Sequence, residues 1–194
     1  MTRHVLRPPT DSPPRPEVCG GEPAVAYLGL GSNTGDRLAN LRDAVTRIAK
    51  LAPVTVVRQI SDVYESPHMG LLPQDEGNRP PHFNIVIEVE TTATPEGLLA
   101  SLQQIEDQGG RVRTERWGSR TIDIDILVFG RERRSEPGLV LPHPGLEKRA
   151  FVLAPLEEIA PELTLMGGTP SSVLQGLLAA GQKVERKECH EVLL

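Results

Sequence analysis

Between Thr121 and Phe129 the chain alternates with period two, so that Ile122, Ile124 and Ile126 fall on one face of a strand and Asp123 and Asp125 on the other. Two carboxylates about 7 Å apart along such a strand repel one another unless a cation sits above or between them. Phe83, Ile85, Ile87 and Val89 share a face in the same way, which predicts a second strand over 83–90. The apolar run 24–30 reads as a buried strand followed by a loop over 31–36, and the β-branched stretch 54–64 reads as a further strand.

Helical spacing separates these strands. Leu38, Leu41, Val45, Ile48 and Leu51 recur at intervals of three and four before Pro53, with Asn33 and Asp36 as turn and cap residues. Thr94-Pro95 starts a second helix carried by Leu98, Leu102 and Ile105 and stopped at Gly109-Gly110. A third helix is expected over 151–159, interrupted near Pro155, and a last short one from Thr169-Pro170 to about Gly181. The order β-α-β-β-α-β followed by helices predicts an α+β, ferredoxin-like (split βαβ) fold, a mostly antiparallel sheet flanked by helices. Six of the 18 prolines fall within 1–23, which reads as a disordered extension ahead of a single domain over 24–194. The Pro-rich stretch 66–82 reads as a long functional loop.

Arg111, Arg113, Arg116 and Arg120 run directly into the paired-aspartate strand, in a chain whose net charge is −5. Guanidinium forks grip phosphate oxygens, and Mg²⁺ is commonly held by one or two carboxylates plus phosphates. Together these residues suit a Mg²⁺–nucleotide phosphate site; the alternative is a solvated Arg/Glu surface with Glu106, Asp107 and Glu115 as partners. Trp117, the only tryptophan, reads either as a core plug or as the wall of a pocket for a planar ligand. Gly29-Leu-Gly31-Ser-Asn-Thr34 lacks the third glycine of a dinucleotide turn, and no glycine precedes a lysine, so neither a Rossmann fingerprint nor a P-loop is present. His143 is held between Pro142 and Pro144, while His68 and His82 flank the long loop. No serine-nucleophile or zinc spacing occurs.

Five stretches in this order resemble the 6-hydroxymethyl-7,8-dihydropterin pyrophosphokinases of folate biosynthesis: AYLGLGSNTGDR (26–37), SDVYESPHMG (61–70), FNIVIEVET (83–91), GRVRTERWGSRTIDIDILVFG (110–130) and LPHPGLEKRAFVLAPLEEIAPEL (141–163). The resemblance implies transfer of the β,γ-pyrophosphoryl group of ATP to the pterin hydroxymethyl oxygen, with release of AMP. It implies two Mg²⁺ ions on Asp123 and Asp125, and Arg113 and Arg120 as catalytic residues beside them. Gln103, Glu106, Arg111, Arg113, Arg116, Arg120, His143 and Arg149 are then expected on the ATP side, and Ser66, Pro67, Met69, His82, Asn84, Trp117 and Phe151 on the pterin side. Asn84 can offer one amide to the donor–acceptor edge of a pterin. The chain departs from the family pattern at His68, Ser119 and Val140. At His82 it has imidazole where many members stack an aromatic ring on the pterin.

The net-acidic charge stands against the competing reading, a non-enzymatic ferredoxin-like RNA-binding module, as does the absence of paired sheet aromatics. No apolar run approaches the roughly 18–20 residues of a membrane span, and no secretory h-region precedes Pro23. Cys19 and Cys189 make no disulfide framework. A cytoplasmic enzyme is expected, acting on ATP and hydroxymethyl-dihydropterin and not on nucleic acid or membrane, with other folate-pathway enzymes as the candidate protein partners.

Overall fold

The computed structural model describes residues 22–52, 54–67, 80–109 and 121–187. In chain order the elements are β1 (Ala24–Ser32), α1 (Arg37–Ala49), β2 (Thr55–Ile60), β3 (Val63–Ser66), β4 (His82–Thr91), α2 (Pro95–Gln108), β5 (Asp123–Phe129), β6 (Arg134–Glu136), β7 (Leu139–Leu141), α3 (Ala150–Ile159), α4 (Pro170–Ala179) and β8 (Glu185–Lys187). Among the described residues six strands form one antiparallel sheet in the order β5-β1-β4-β3-β8, with β2 also on β4; β6 and β7 make a separate hairpin. This is the ferredoxin-like arrangement, with β1 in the centre between β5 and β4.

The helices form where their caps and stripes predict. Asp36 accepts the Ala39 N–H at 3.0 Å and Thr94 accepts that of Gly97 at 2.9 Å, each satisfying a donor that the first turn leaves open. Leu41, Val45 and Ile48 of α1 and Leu98, Leu102 and Ile105 of α2 bury their stripes against one face of the sheet, on Leu28, Leu30, Ile85, Ile87, Ile122, Ile124 and Ile126. The other face takes α3 and α4 over Val86, Leu127 and Val128. A bulge in the β1–β5 pairing inserts Leu127 on that second face.

Four expectations are corrected. First, β1 runs on through Gly31 and Ser32, because pairing on both edges holds it extended: Gly31 pairs with Asn84 on one side and Asp123 on the other. Second, the stretch 54–64 is two strands, broken at Ser61-Asp62, where the Ser61 hydroxyl accepts the Val86 N–H at 3.0 Å in place of a regular ladder bond. Third, α3 passes through Pro155 without interruption. An interior proline costs about 3 kcal/mol, but fully buried Leu153 and Leu156 each return roughly 1.5–3 kcal/mol. Fourth, Ser66 and His82, placed in the long loop, are the paired ends of β3 and β4. The hairpin β6–β7 and the strand β8 were not expected, being only three residues each. Residues 1–21 of the expected extension lie outside the described residues.

Candidate active site

On the face carrying α3 and α4, the described residues leave one end of the sheet partly exposed, at Gly31, Asp123 and Asp125. Pairing places Asp123, Gly31, Asn84 and Tyr64 in a single row across β5, β1, β4 and β3, and Asp125 beside Gly29 in the next row. Two inter-strand spacings put Asp123 and Asn84 roughly 10 Å apart along that row. Between them the floor is glycine. A Cβ on Gly31 would lie 3.4 Å from Asn84 Oδ1, and one on Gly29 would press on Leu127 at 3.2 Å. The two glycines thus keep the centre of the cleft low, a role that the period-two spacing Gly29-x-Gly31 inside an apolar strand could have signalled.

Asp123 and Asp125 are both partly exposed on this side while Ile122, Ile124 and Ile126 are buried on the other, as the alternation requires. Glu106 of α2, only 3% exposed, lies behind them and accepts the Ile124 N–H at 2.8 Å, securing the outer edge of β5 between the two aspartates. Gln103 is exposed on the same helix. Ser32 Oγ donates to the Thr121 carbonyl at 2.6 Å and fixes where the chain re-enters β5.

The turn 141–149 flanks the acidic pair. The His143 N–H donates to the Leu127 carbonyl at 2.8 Å, which ties the turn to β5. The His143 Nδ1 accepts the Gly145 N–H at 3.0 Å, so the neutral ring carries its proton on Nε2, which lies 3.8 Å from Asp125 Oδ2. Burial pushes the imidazole below its ordinary range; Asp125 and Asp123 pull it up, and Arg149 pushes it further down. The ring therefore faces the cleft as a neutral N–H donor. Arg149 opens α3 and packs over the backbone of Gly145, with its guanidinium carbon 5.9 Å from the centre of the Phe151 ring.

At the other end of the row Asn84 is buried, and its Nδ2 donates to Ser66 Oγ at 3.0 Å and to the Tyr64 carbonyl at 3.2 Å. These bonds turn Oδ1 towards Gly31 as an acceptor. Ser66 is buried, Pro67 exposed and His82 half-buried. Met69, Arg111, Arg113, Arg116, Trp117 and Arg120, like His68 and Ser119, lie outside the described residues. The structure thus brings Asp123, Asp125, His143 and Arg149 to one side of the glycine floor and Ser66 and Asn84 to the other.

The family model for 7,8-dihydro-6-hydroxymethylpterin-pyrophosphokinase (HPPK) matches residues 27–161, from within β1 to just past α3. The chain belongs to this family. As a member it is an ATP-dependent diphosphotransferase that transfers pyrophosphate in folate biosynthesis. It is 44% identical over 163 residues to a 2-amino-4-hydroxy-6-hydroxymethyldihydropteridine pyrophosphokinase of Methylorubrum extorquens, covering 84% of this chain and 98% of the relative. It is 40% identical over 159 residues to the protein of the same name from Bacillus subtilis, covering 82% of this chain and 92% of that one. Among solved structures, the wild-type HPPK-DHPS of Plasmodium falciparum shares the fold at a TM-score of 0.59 and 14% identity, over 81% of this chain and 45% of that one. A triple mutant of the same protein gives 0.63 and 15%, over 86% and 45%. The HPPK chain described here therefore spans less than half the length of those solved chains.

Proposed function

We propose that this HPPK chain carries out its transfer across the glycine floor, with the triphosphate of ATP on the Asp123/Asp125 and His143–Arg149 side and 6-hydroxymethyl-7,8-dihydropterin on the Ser66–Asn84 side. The observation that carries this reading is the cross-strand row Asp123–Gly31–Asn84, in which a carboxylate and an amide stand roughly 10 Å apart on either side of a glycine.

Asp123 and Asp125 would hold Mg²⁺. Among the described residues no cluster of three or more His, Cys, Asp or Glu could hold a metal alone, and a bare carboxylate pair suits an ion whose remaining ligands are phosphate oxygens and water. Bound there, Mg²⁺ supplies positive charge to the pyrophosphoryl oxygens as the bond to AMP breaks. The His143 Nε2–H donates to phosphate oxygen, and Arg149 adds a fixed positive charge beside it. Asn84 Oδ1 accepts from the N–H edge of the pterin, with its own amide nitrogen already engaged, so the ring is read in one orientation. Phe151 offers apolar area under the bound pair. Arg113 and Arg120 are proposed to grip the β- and γ-phosphates bidentately, which holds the transferred group in line.

The reaction is proposed to run in the cytoplasm. An enzyme that consumes the pterin diphosphate is the natural neighbour for such a product; the solved HPPK-DHPS chains carry both names on one polypeptide. The test is product identity. With ATP, Mg²⁺ and hydroxymethyl-dihydropterin, AMP should form in step with the pterin diphosphate. Release of ADP, or AMP formation indifferent to the pterin, overturns the reading.

A further inference from the structure

Arg37 opens α1 on the side of the sheet away from the cleft. Its Nη1 donates to the Pro81 carbonyl at 2.7 Å and lies 3.4 Å from Glu65 Oε2, while its guanidinium carbon stands 3.7 Å over the centre of the Phe83 ring. Glu65 and Phe83 are directly paired across β3 and β4, and Pro81 is the residue before β4. One side chain thus holds both strands where the segment between them leaves and returns. Lys187 of β8 braces the same carboxylate at 3.6 Å from Glu65 Oε1.

The pairs on either side of Glu65–Phe83 are Tyr64–Asn84 and Ser66–His82, which alternation puts on the other face of the sheet, where Asn84 Nδ2 meets Ser66 Oγ. Register in a hairpin is held by its turn and by contacts that span both strands, and Arg37 makes contacts of the second kind. Short paired ends without such contacts fray or slip, and a slip of one residue turns every side chain to the other face.

We propose that Arg37 is a positioning residue for the dihydropterin side of the site: it locks the register of β3 against β4 from beneath and so sets Ser66 Oγ against the Asn84 amide. The inference rests on the assignment of Ser66 and Asn84 to the pterin wall. Arginine suits the task because its plane can cover an aromatic ring while its edge donates to a carbonyl and a carboxylate. A lysine can keep the ion pair but not all three contacts.

The test uses the full chain and two measurements, direct titration with hydroxymethyl-dihydropterin and steady-state release of AMP. Arg37→Met keeps a long unbranched side chain and removes the guanidinium that stands over Phe83, donates to the Pro81 carbonyl and pairs with Glu65. It should weaken pterin binding and raise the pterin KM by about tenfold, leaving the ATP KM and the kcat at saturating pterin unchanged. Arg37→Lys should fall between the two. A residue that merely supported folding would lower the active fraction, cutting kcat with neither KM altered. That result, equal losses for ATP and pterin, or unchanged pterin affinity would overturn the proposal. If Arg37→Met does not fold, Arg37→Lys and Glu65→Gln carry the test, and each must raise the pterin KM alone. Failure of the unaltered chain to bind the pterin would overturn the assignment of the pterin wall itself, before any variant is compared.

Discussion

Replacing Gly145 by alanine should separate the geometry of the His143–Arg149 turn from the stability of the fold. The backbone there has φ −92° and ψ −4°, which alanine adopts without strain. The added Cβ, however, would stand 2.8 Å from Arg149 Nε, 2.9 Å from its Cζ and 3.0 Å from His143 Cε1. Ordinary carbon contacts begin near 3.5 Å, so the guanidinium must retreat by about half an ångström or more, and the imidazole with it. The crowded atoms are the far ends of two side chains, so the fold can yield cheaply. Loss of glycine's unfolded-state freedom contributes about 0.4–1 kcal/mol in the opposite direction. The net stability change should stay within about 1 kcal/mol, a Tm shift of roughly 2–4 °C for a domain of this size. Catalysis should not be spared, since misplacing a positioned group by about 1 Å can cost a hundredfold; kcat/KM for ATP should fall about ten- to a hundredfold. Calorimetry and coupled AMP release measure the two effects. An alanine variant as active as the parent would refute the placement of Arg149 and His143 against the triphosphate. Loss of several kcal/mol of stability would refute the claim that the niche can relax.

Asp123→Ala and Asp125→Ala should each retain far-UV circular dichroism and Tm, because both side chains leave the sheet on its open face, yet lower AMP release at saturating Mg²⁺ by about a thousandfold or more. Burial and a hydrogen bond to Glu88 push the Tyr27 phenol up to about 12, and burial with the Glu158 carboxylate pushes Tyr64 up as well. A phenol raised above its unfolded value of 10 favours the native state fully below pH 10, so this stabilisation should be lost as pH climbs from 10 towards 12. Tyrosinate absorbance and Tm followed over that range should change together. Arg186 of β8 pairs with the buried Asp62 carboxylate and reaches Glu158 at 3.5 Å. Arg186→Met should therefore destabilise the fold, and adding Asp62→Asn should recover part of the loss; a double variant less stable than Arg186→Met alone would show that Asp62 needs its charge for some other contact.

Features governed by local chemistry were legible in the residues. The two faces of β5 follow from strict alternation, and the starts of α1 and α2 follow from Asp36 and from Thr94-Pro95, whose side chains need only their own first turns. What was not legible depends on partners distant in sequence. The break at Ser61-Asp62 exists because Val86 and Glu158 supply its hydrogen bonds. β8 is three charged residues that become a strand only because β3 offers an edge. Pro155 sits in a helix because the buried face of α3 outweighs one lost bond. In the candidate site, the aspartate pair stood out from its spacing, whereas His143, Ser66, Asn84 and Arg149 were expected there only from the family resemblance. The clamp at Arg37 and the niche at Gly145 were not, since neither exists until strands and turns meet.

The place of β1 at the centre of the sheet has a consequence for how the chain is made. It is the first strand among the described residues, yet both its neighbours come later in the chain: β4 is complete only at Thr91 and β5 at Phe129. Helix α1 can cover one side of it early, but one hydrogen-bonding edge stays open until β4 is made and the other until β5 is. Such non-local pairing makes folding slow and leaves an apolar strand able to join other chains meanwhile. The aspartate strand is the last to close the sheet against β1, so the acidic wall of the cleft cannot form until the fold around it is nearly finished.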